Sequence, residues 1–244
     1  MPEGNPIPAT LDHVASSERC TTLACDGMSV STVEHLLAAL YASQIDDAII
    51  IVDGEELPLL DGSARPFVNG INGVGLARQE MARSTLMLER AVSLRVGEAT
   101  YEVTPSAQTT LTVTIAFDHP LIGEQTITCG LSAGEFESEI ASARTFGFEH
   151  EAGALRARNL IGGVTPDSVL VLTESNLRTG QRLRWPDEFV RHKALDVVGD
   201  LALLGAPVQC DIRATRPGHA GNVALGRAIA ADAILHTESS YTPV

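Results

Sequence analysis

His192 and Asp196 stand four residues apart in PDEFVRHKALDVVGDLALLG, the most strongly helical stretch of the chain. At that spacing an imidazole and a carboxylate share one helix face, and both reach a single divalent cation. Asp200 lies one further turn along the same face. A third ligand from elsewhere would leave a catalytic zinc an open position for water. His35 in STVEHLLAAL is the candidate, and Glu34 precedes it directly. Adjacent helical residues point about 100° apart, so one can ligate while the other acts as general base.

Each of these residues also has a plainer reading. An H-x-x-x-D pair fits a surface ion pair, and His35 fits a satisfied core histidine. Lys193 is the single lysine among 17 basic residues, and it follows His192. There a compact ammonium would stabilise negative charge on a substrate or a tetrahedral intermediate. The alternative is an exposed basic face made by Arg191, His192 and Lys193. His219 falls in TRPGHAGN, read as a Gly- and Pro-marked loop after a strand. A histidine there could protonate a leaving amine if a carboxylate such as Asp200 keeps it charged. Thr145, in SARTFGF, could donate its hydroxyl to an oxyanion or be an ordinary turn residue.

The elements that must carry these side chains follow from periodicity. STVEHLLAALYA is predicted as a helix over residues 31–42, N-capped by Ser31 or Thr32. DDAIIIVDG reads as a strand, and Asp61-Gly62 as a turn with a short helix behind it. LMLE, VSLRVG, TYEVTP and TLTVTIAF suggest a β-meander. Helices are expected around GEFESEIAS and EAGALRARN, then a strand at DSVLVLT. The long helix ends at Gly205 and is followed by the strand VQCDIRAT and a helix near NVALGRAIAADAIL. His35 and His192 each lie near the start of a helix that leads into a strand, an echo consistent with duplicated halves.

Composition sets limits. The chain has 244 residues, 31 acidic against 17 basic, for a net charge of −14. Such a balance excludes a nucleic-acid binder, whose affinity rests on phosphate neutralisation. No apolar run approaches the ~20 residues of a membrane span, and MPEGNPIPATLDH is not a targeting segment, so a cytoplasmic protein without stable membrane insertion is expected. Cysteines 20, 25, 129 and 210 form no C-x-x-C pair and read as reduced thiols.

Taken in order, STVEHLLAAL, ELPLLDGSARPFV, ARTFGF, DEFVRHKALDVVGDL and GHAGN resemble the successive signature segments of the UDP-3-O-acyl-N-acetylglucosamine deacetylases, zinc enzymes of lipid A biosynthesis. The resemblance runs from about residue 15 to about residue 235. It implies His35, His192 and Asp196 as zinc ligands, Glu34 as general base, and His219 as general acid with Asp200 as its charge partner. Thr145 and Lys193 would polarise the acetamide carbonyl and stabilise the oxyanion. The implied fold class is α+β: two similar α/β-sandwich domains, each a sheet packed on helices, with the zinc site between them. Residues 1–83 would form the first and residues 84–244 the second, with a β–α–β insert at 146–172 lining an acyl passage. The implied reaction is hydrolysis of the N-acetyl group of UDP-3-O-((R)-3-hydroxyacyl)-N-acetylglucosamine, the committed step of lipid A biosynthesis, by a monomer acting on a small UDP-acyl-sugar.

Members of this family usually open with a further strand and a V-G-L-H-[ST]-G loop, and this chain begins after that point. The expectation is a shortened first domain with an exposed sheet edge and an intact zinc site. GGVTPDS also departs from the commoner G-G-S-x-[DE]-[NS]. Two alternatives stay open: a truncated paralogue that binds zinc and ligand with little catalysis, and a zinc amidase acting on another N-acylated sugar.

Overall fold

The computed structural model describes residues 5–157, 165 and 168–237. It is a mixed α/β structure in which helices cover one face of a seven-stranded sheet. The first strands, β1 (Val14–Ser16), β2 (Thr22–Cys25) and β3 (Met28–Val30), make a small antiparallel sheet. Asp26 and Gly27, both at positive φ, turn β2 into β3. Helices α1 (Glu34–Ala42) and α2 (Arg65–Val74) follow.

The large sheet begins with β4 (Ser84–Leu88), β5 (Val92–Val96), β6 (Ala99–Pro105), β7 (Thr110–Phe117) and β8 (Gly123–Gly130). After α3 (Ala133–Glu139), the parallel pair β9 (Phe146–Phe148) and β10 (Leu170–Leu172) brackets α4 (Ala152–Ala157). That is the expected β–α–β insert. The chain ends with α5 (Glu188–Leu201), β11 (Val208–Thr215), α6 (His219–Asp232) and β12 (Ala233–Thr237).

Period-two alternation builds the sheet's buried face. Tyr101 and Val103 of β6, Leu111, Val113 and Ile115 of β7, and Cys210, Ile212 and Ala214 of β11 all point inward. Helix α5 packs on that face over β7 and β8, and α6 over β5 and β6. Ala38, Ala39 and Ala42 of α1 join the same apolar cluster, so α5 is enclosed between the sheet and α1.

The crossing of α1 and α5 is the closest in the molecule's functional region. A Cβ on Gly199 would stand 2.1 Å from the Glu34 carbonyl oxygen and 2.9 Å from its Cα. Glycine at 199 therefore lets two helix backbones touch at the point where both carry candidate site residues.

Several expectations are corrected. The strands are not a simple meander: β11, from the far end of the chain, inserts antiparallel to β6 and parallel to β7. Its long-range pairing completes both edges that the two local hairpins leave open. Residues 48–53 form no strand among the described residues, and Ile49 and Ile51 are exposed, because strand identity needs a partner edge as well as β-branched residues. Neither Ser31 nor Thr32 caps α1. Ser31 hydrogen-bonds Thr22, while Thr32, at φ 60°, donates to Glu56. His219 is not in a loop; it is the first residue of α6, after N-cap Gly218. Most of GGVTPDS, residues 162–164, 166 and 167, lies outside the described residues.

Gly199→Ala adds a methyl where backbone already stands. It should destabilise the chain by about 1–3 kcal/mol in urea denaturation despite alanine's better helix propensity. A change below about 0.5 kcal/mol would show that α1 withdraws freely from α5.

Candidate active site

Helix α5 is buried along most of its length and carries a polar stripe at four-residue spacing: Glu188, His192, Asp196 and Asp200. Buried charge must be matched, and each member has its own partner. Glu188 accepts from Arg144 Nε at 2.8 Å and from the Arg144 and Arg184 backbone N–H groups. Asp200 Oδ2 accepts from His219 Nδ1 at 2.9 Å and from Asn222 Nδ2 at 2.8 Å, while Oδ1 accepts from the Thr21 hydroxyl.

Between these, His192 and Asp196 meet His35 from the first turn of α1. Their ligand atoms lie within 4.8 Å of one another, and all three residues are buried. Asp196 Oδ1 is 3.4 Å from His192 Nε2 and 3.9 Å from His35 Nε2. The two imidazoles are edge to face, with ring centroids 5.1 Å apart. His192 Nδ1 lies 3.1 Å from the Ala143 carbonyl oxygen, which can only accept, so the proton is on Nδ1 and the Nε2 lone pair faces the cluster.

The donor set fits a divalent cation. Asp196 Oδ1 and His35 Nδ1 are buried and have no hydrogen-bond partner among the described residues. An unpartnered buried carboxylate oxygen facing two neutral imidazoles is costly without a positive charge between them. Burial, reinforced by His192, lowers His35 to about 3, and burial also lowers His192. Burial would raise Asp196, but Lys193 and the three histidines around it hold it far below the usual carboxylate range. At neutral pH the trio is thus two neutral imidazoles and one carboxylate, the protonation state that metal ligation needs.

The acid-base groups adjoin this trio. Burial pushes Glu34 up to about 7, and Thr21 N–H donates to its Oε2 at 3.0 Å. For His219, burial acts downward, but Asp200, Asp196 and Glu34 outweigh it and raise it to about 9. A cavity of about 630 Å³ opens beside His219, lined also by Arg19, Phe117, Asp118 and Arg216.

The structure therefore brings together His35, His192, Asp196, Glu34, Asp200 and His219. Lys193 joins them differently from expectation, because its Nζ donates to Asp196 Oδ2 at 2.8 Å. Arg191 faces away from the cluster, held by Asp187 and Glu139. The Thr145 hydroxyl makes no hydrogen bond among the described residues. Its backbone is fixed by the Gly62 carbonyl and the Leu170 N–H. Gly62, at φ 83°, has no room for a Cβ, which would fall 1.9 Å from the Ser168 carbonyl oxygen.

Sequence reasoning missed four supporting residues. Asn222 follows His219 by three positions on α6, a helical spacing that places both toward Asp200. Tyr101 donates to Asn222 Oδ1 at 2.9 Å and fits only because Gly221 has no side chain, its missing Cβ lying 2.3 Å from the Tyr101 oxygen. Ala143 orients His192 through its backbone, and Thr21 stands just before β2, outside any motif.

The family model of UDP-3-O-acyl N-acetylglycosamine deacetylase (LpxC) matches residues 1–231. The chain belongs to this family. A relative from Anaeromyxobacter sp. (strain Fw109-5), named UDP-3-O-acyl-N-acetylglucosamine deacetylase, is 41% identical over 230 residues, 94% of this chain and 76% of the relative. Proteins of the same name from Myxococcus xanthus (strain DK1622) and Thermosynechococcus vestitus (strain NIES-2133 / IAM M-273 / BP-1) are 39% and 43% identical, each over 93% of this chain and over 72% and 79% of their own lengths. Membership makes the chain a hydrolase of an amide bond.

Purified His35→Ala, His192→Ala and Asp196→Ala variants should each lose bound divalent metal, measured by plasma emission, whereas His219→Ala retains it. Full retention by Asp196→Ala would remove the carboxylate from the ligand set.

Proposed function

We propose that this chain hydrolyses the N-acetyl group of UDP-3-O-((R)-3-hydroxyacyl)-N-acetylglucosamine, releasing acetate and the free amine in lipid A biosynthesis. Family membership supports the reaction class. The observation that carries the site assignment is the convergence of a buried His-His-Asp cluster, whose Asp196 Oδ1 has no hydrogen-bond partner among the described residues, with one carboxylic acid near 7 and one imidazole near 9. His35, His192 and Asp196 would hold zinc, which when bound supplies a Lewis acid that polarises the acetamide carbonyl and acidifies water.

The chain's own residues supply the rest. Glu34 takes the proton of the attacking water, its carboxylate aimed by Thr21 N–H. His219 is charged at neutral pH. Asp200 occupies its Nδ1–H, which leaves Nε2–H to protonate the departing nitrogen. Lys193 and Thr145 face the developing oxyanion, with Lys193 also screening Asp196. The diphosphate is accommodated in the cavity beside His219, where the Arg216 guanidinium makes an exposed pair with Glu98 that a phosphate readily replaces. Division into parts at residues 83/84, a monomeric state and a cytoplasmic location belong to the same proposal. Among the described residues no helix is long and apolar enough to cross a membrane.

Activity should follow a bell-shaped pH profile. The base is active once deprotonated, so kcat/KM rises through a group at or below about 7, since a bound dication lowers Glu34 further. The acid is active while protonated, so activity falls through about 9. Glu34→Ala and His219→Ala should each reduce kcat by about 10²–10⁴-fold with metal retained. An alkaline limb that persists unchanged in His219→Ala would reassign the acid. Arg216→Ala should raise KM for the UDP substrate by about tenfold, and far less for an analogue lacking the diphosphate. Equal effects on both would place the diphosphate elsewhere.

A further inference from the structure

Thr21 is fully buried, and among the described residues it is the one side chain whose groups hydrogen-bond both candidate proton-transfer assemblies. Its backbone N–H donates to Glu34 Oε2, and its carbonyl accepts from Val33 N–H, so two bonds fasten it to the first turn of α1. Its hydroxyl donates to Asp200 Oδ1 on α5. Asp200 in turn holds His219 through its other oxygen. A chain of contacts therefore runs from the Glu34 carboxylate through Thr21 and Asp200 to the His219 ring, crossing from α1 to α5 to α6.

We propose that Thr21 is a positioning residue for the deacetylation described above, fixing Asp200, and through it the His219 ring, at a set distance from the Glu34 carboxylate. The inference rests on that functional reading. Its physical basis is the two-point hold on Asp200. Bonds to His219 and Asn222 both engage Oδ2, and a carboxylate held at one oxygen alone can pivot about its Cβ–Cγ bond. The Thr21 hydroxyl engages Oδ1 and removes that freedom. The hydroxyl is itself immobile, because the backbone of the same residue is tied to α1 on either side of its Cα. An acid that must meet its leaving group within hydrogen-bond reach depends on such a hold.

Thr21→Val preserves side-chain shape and both backbone bonds, so it removes the tie to Asp200 and leaves the tie to Glu34. Its kcat should fall about tenfold or more with KM within about twofold, whereas Thr21→Ser stays near the parent chain. In an Asp200→Ala background, Thr21→Val should cause little further loss, because the group it acts through is gone. Thr21→Ala, which leaves room for water to replace the hydroxyl, supplies a second variant should the valine form fold poorly. Its loss should be smaller than that of the valine form. A parent-like kcat in Thr21→Val, an equal loss in Thr21→Ser, or a full multiplicative loss in the double variant would overturn the proposal. Inactivity of the parent chain on the UDP substrate would instead overturn the functional reading. In that event the Nδ1–H proton of His219, followed by NMR, decides independently: it should exchange faster in Thr21→Val and not in Thr21→Ser, and unchanged exchange in both counts against the hold.

Discussion

Two helix backbones in direct contact govern this site. At Gly199 the backbone of α5 lies against the carbonyl of Glu34 at the first turn of α1. Each helix alone presents an incomplete set of groups: Glu34 and His35 on one, His192, Asp196 and Asp200 on the other. Their chemistry exists only at the crossing. A methyl at 199 would stand 2.1 Å from the Glu34 carbonyl oxygen, so the two backbones would have to part. The alanines at 38, 39 and 42 extend the same logic along α1, because small residues let the helix settle against α5 and share its core.

Closeness on this scale brings a charge problem, and its solution differentiates three histidines that share one buried region. His35 and His192 face each other; burial lowers both, and His192 adds to the reluctance of His35 to protonate. His219 instead rests against a carboxylate that Thr21 and Asn222 keep in place, and it stays charged. Desolvation alone would push all three in one direction. The neighbours divide them into two imidazoles that stay neutral and one that is charged. At the far end of the stripe Glu188 is matched by Arg144, a residue of the same SARTFGF segment that orients His192 through Ala143 and sets Phe146 edge to face with Phe189. That segment is long and specific in sequence because successive residues brace different parts of α5.

Much of this was legible in the residues themselves. The i,i+4 pair His192–Asp196 and its extension to Asp200 follow from helical period, and α5 forms where the pattern places it. The strand Val208–Thr215 likewise matches local alternation, whereas the β–α–β insert follows from the family resemblance. What periodicity could not give was anything decided at long range. β11 enters the sheet between strands distant from it in sequence, and residues 48–53 have strand composition without a partner. His219 read as a loop residue because Pro217 and Gly218 punctuate the chain, yet Gly218 is the N-cap of α6. Thr21 and Tyr101 carry no local signal, since their roles come from hydrogen bonds to residues 179 and 121 positions away. The lone lysine lies beside the His-His-Asp cluster, its Nζ paired with Asp196.

The unpartnered oxygen of Asp196 has a consequence beyond chemistry. A cation that binds the folded cluster and not the unfolded chain contributes RT ln(1 + [L]/Kd) to stability, about 2.7 kcal/mol at a hundredfold excess over Kd. The ion would relieve the internal electrostatic conflict that the α1–α5 crossing creates. The native population then becomes a function of free metal, so that scarcity lowers the lifetime of the protein as well as its turnover.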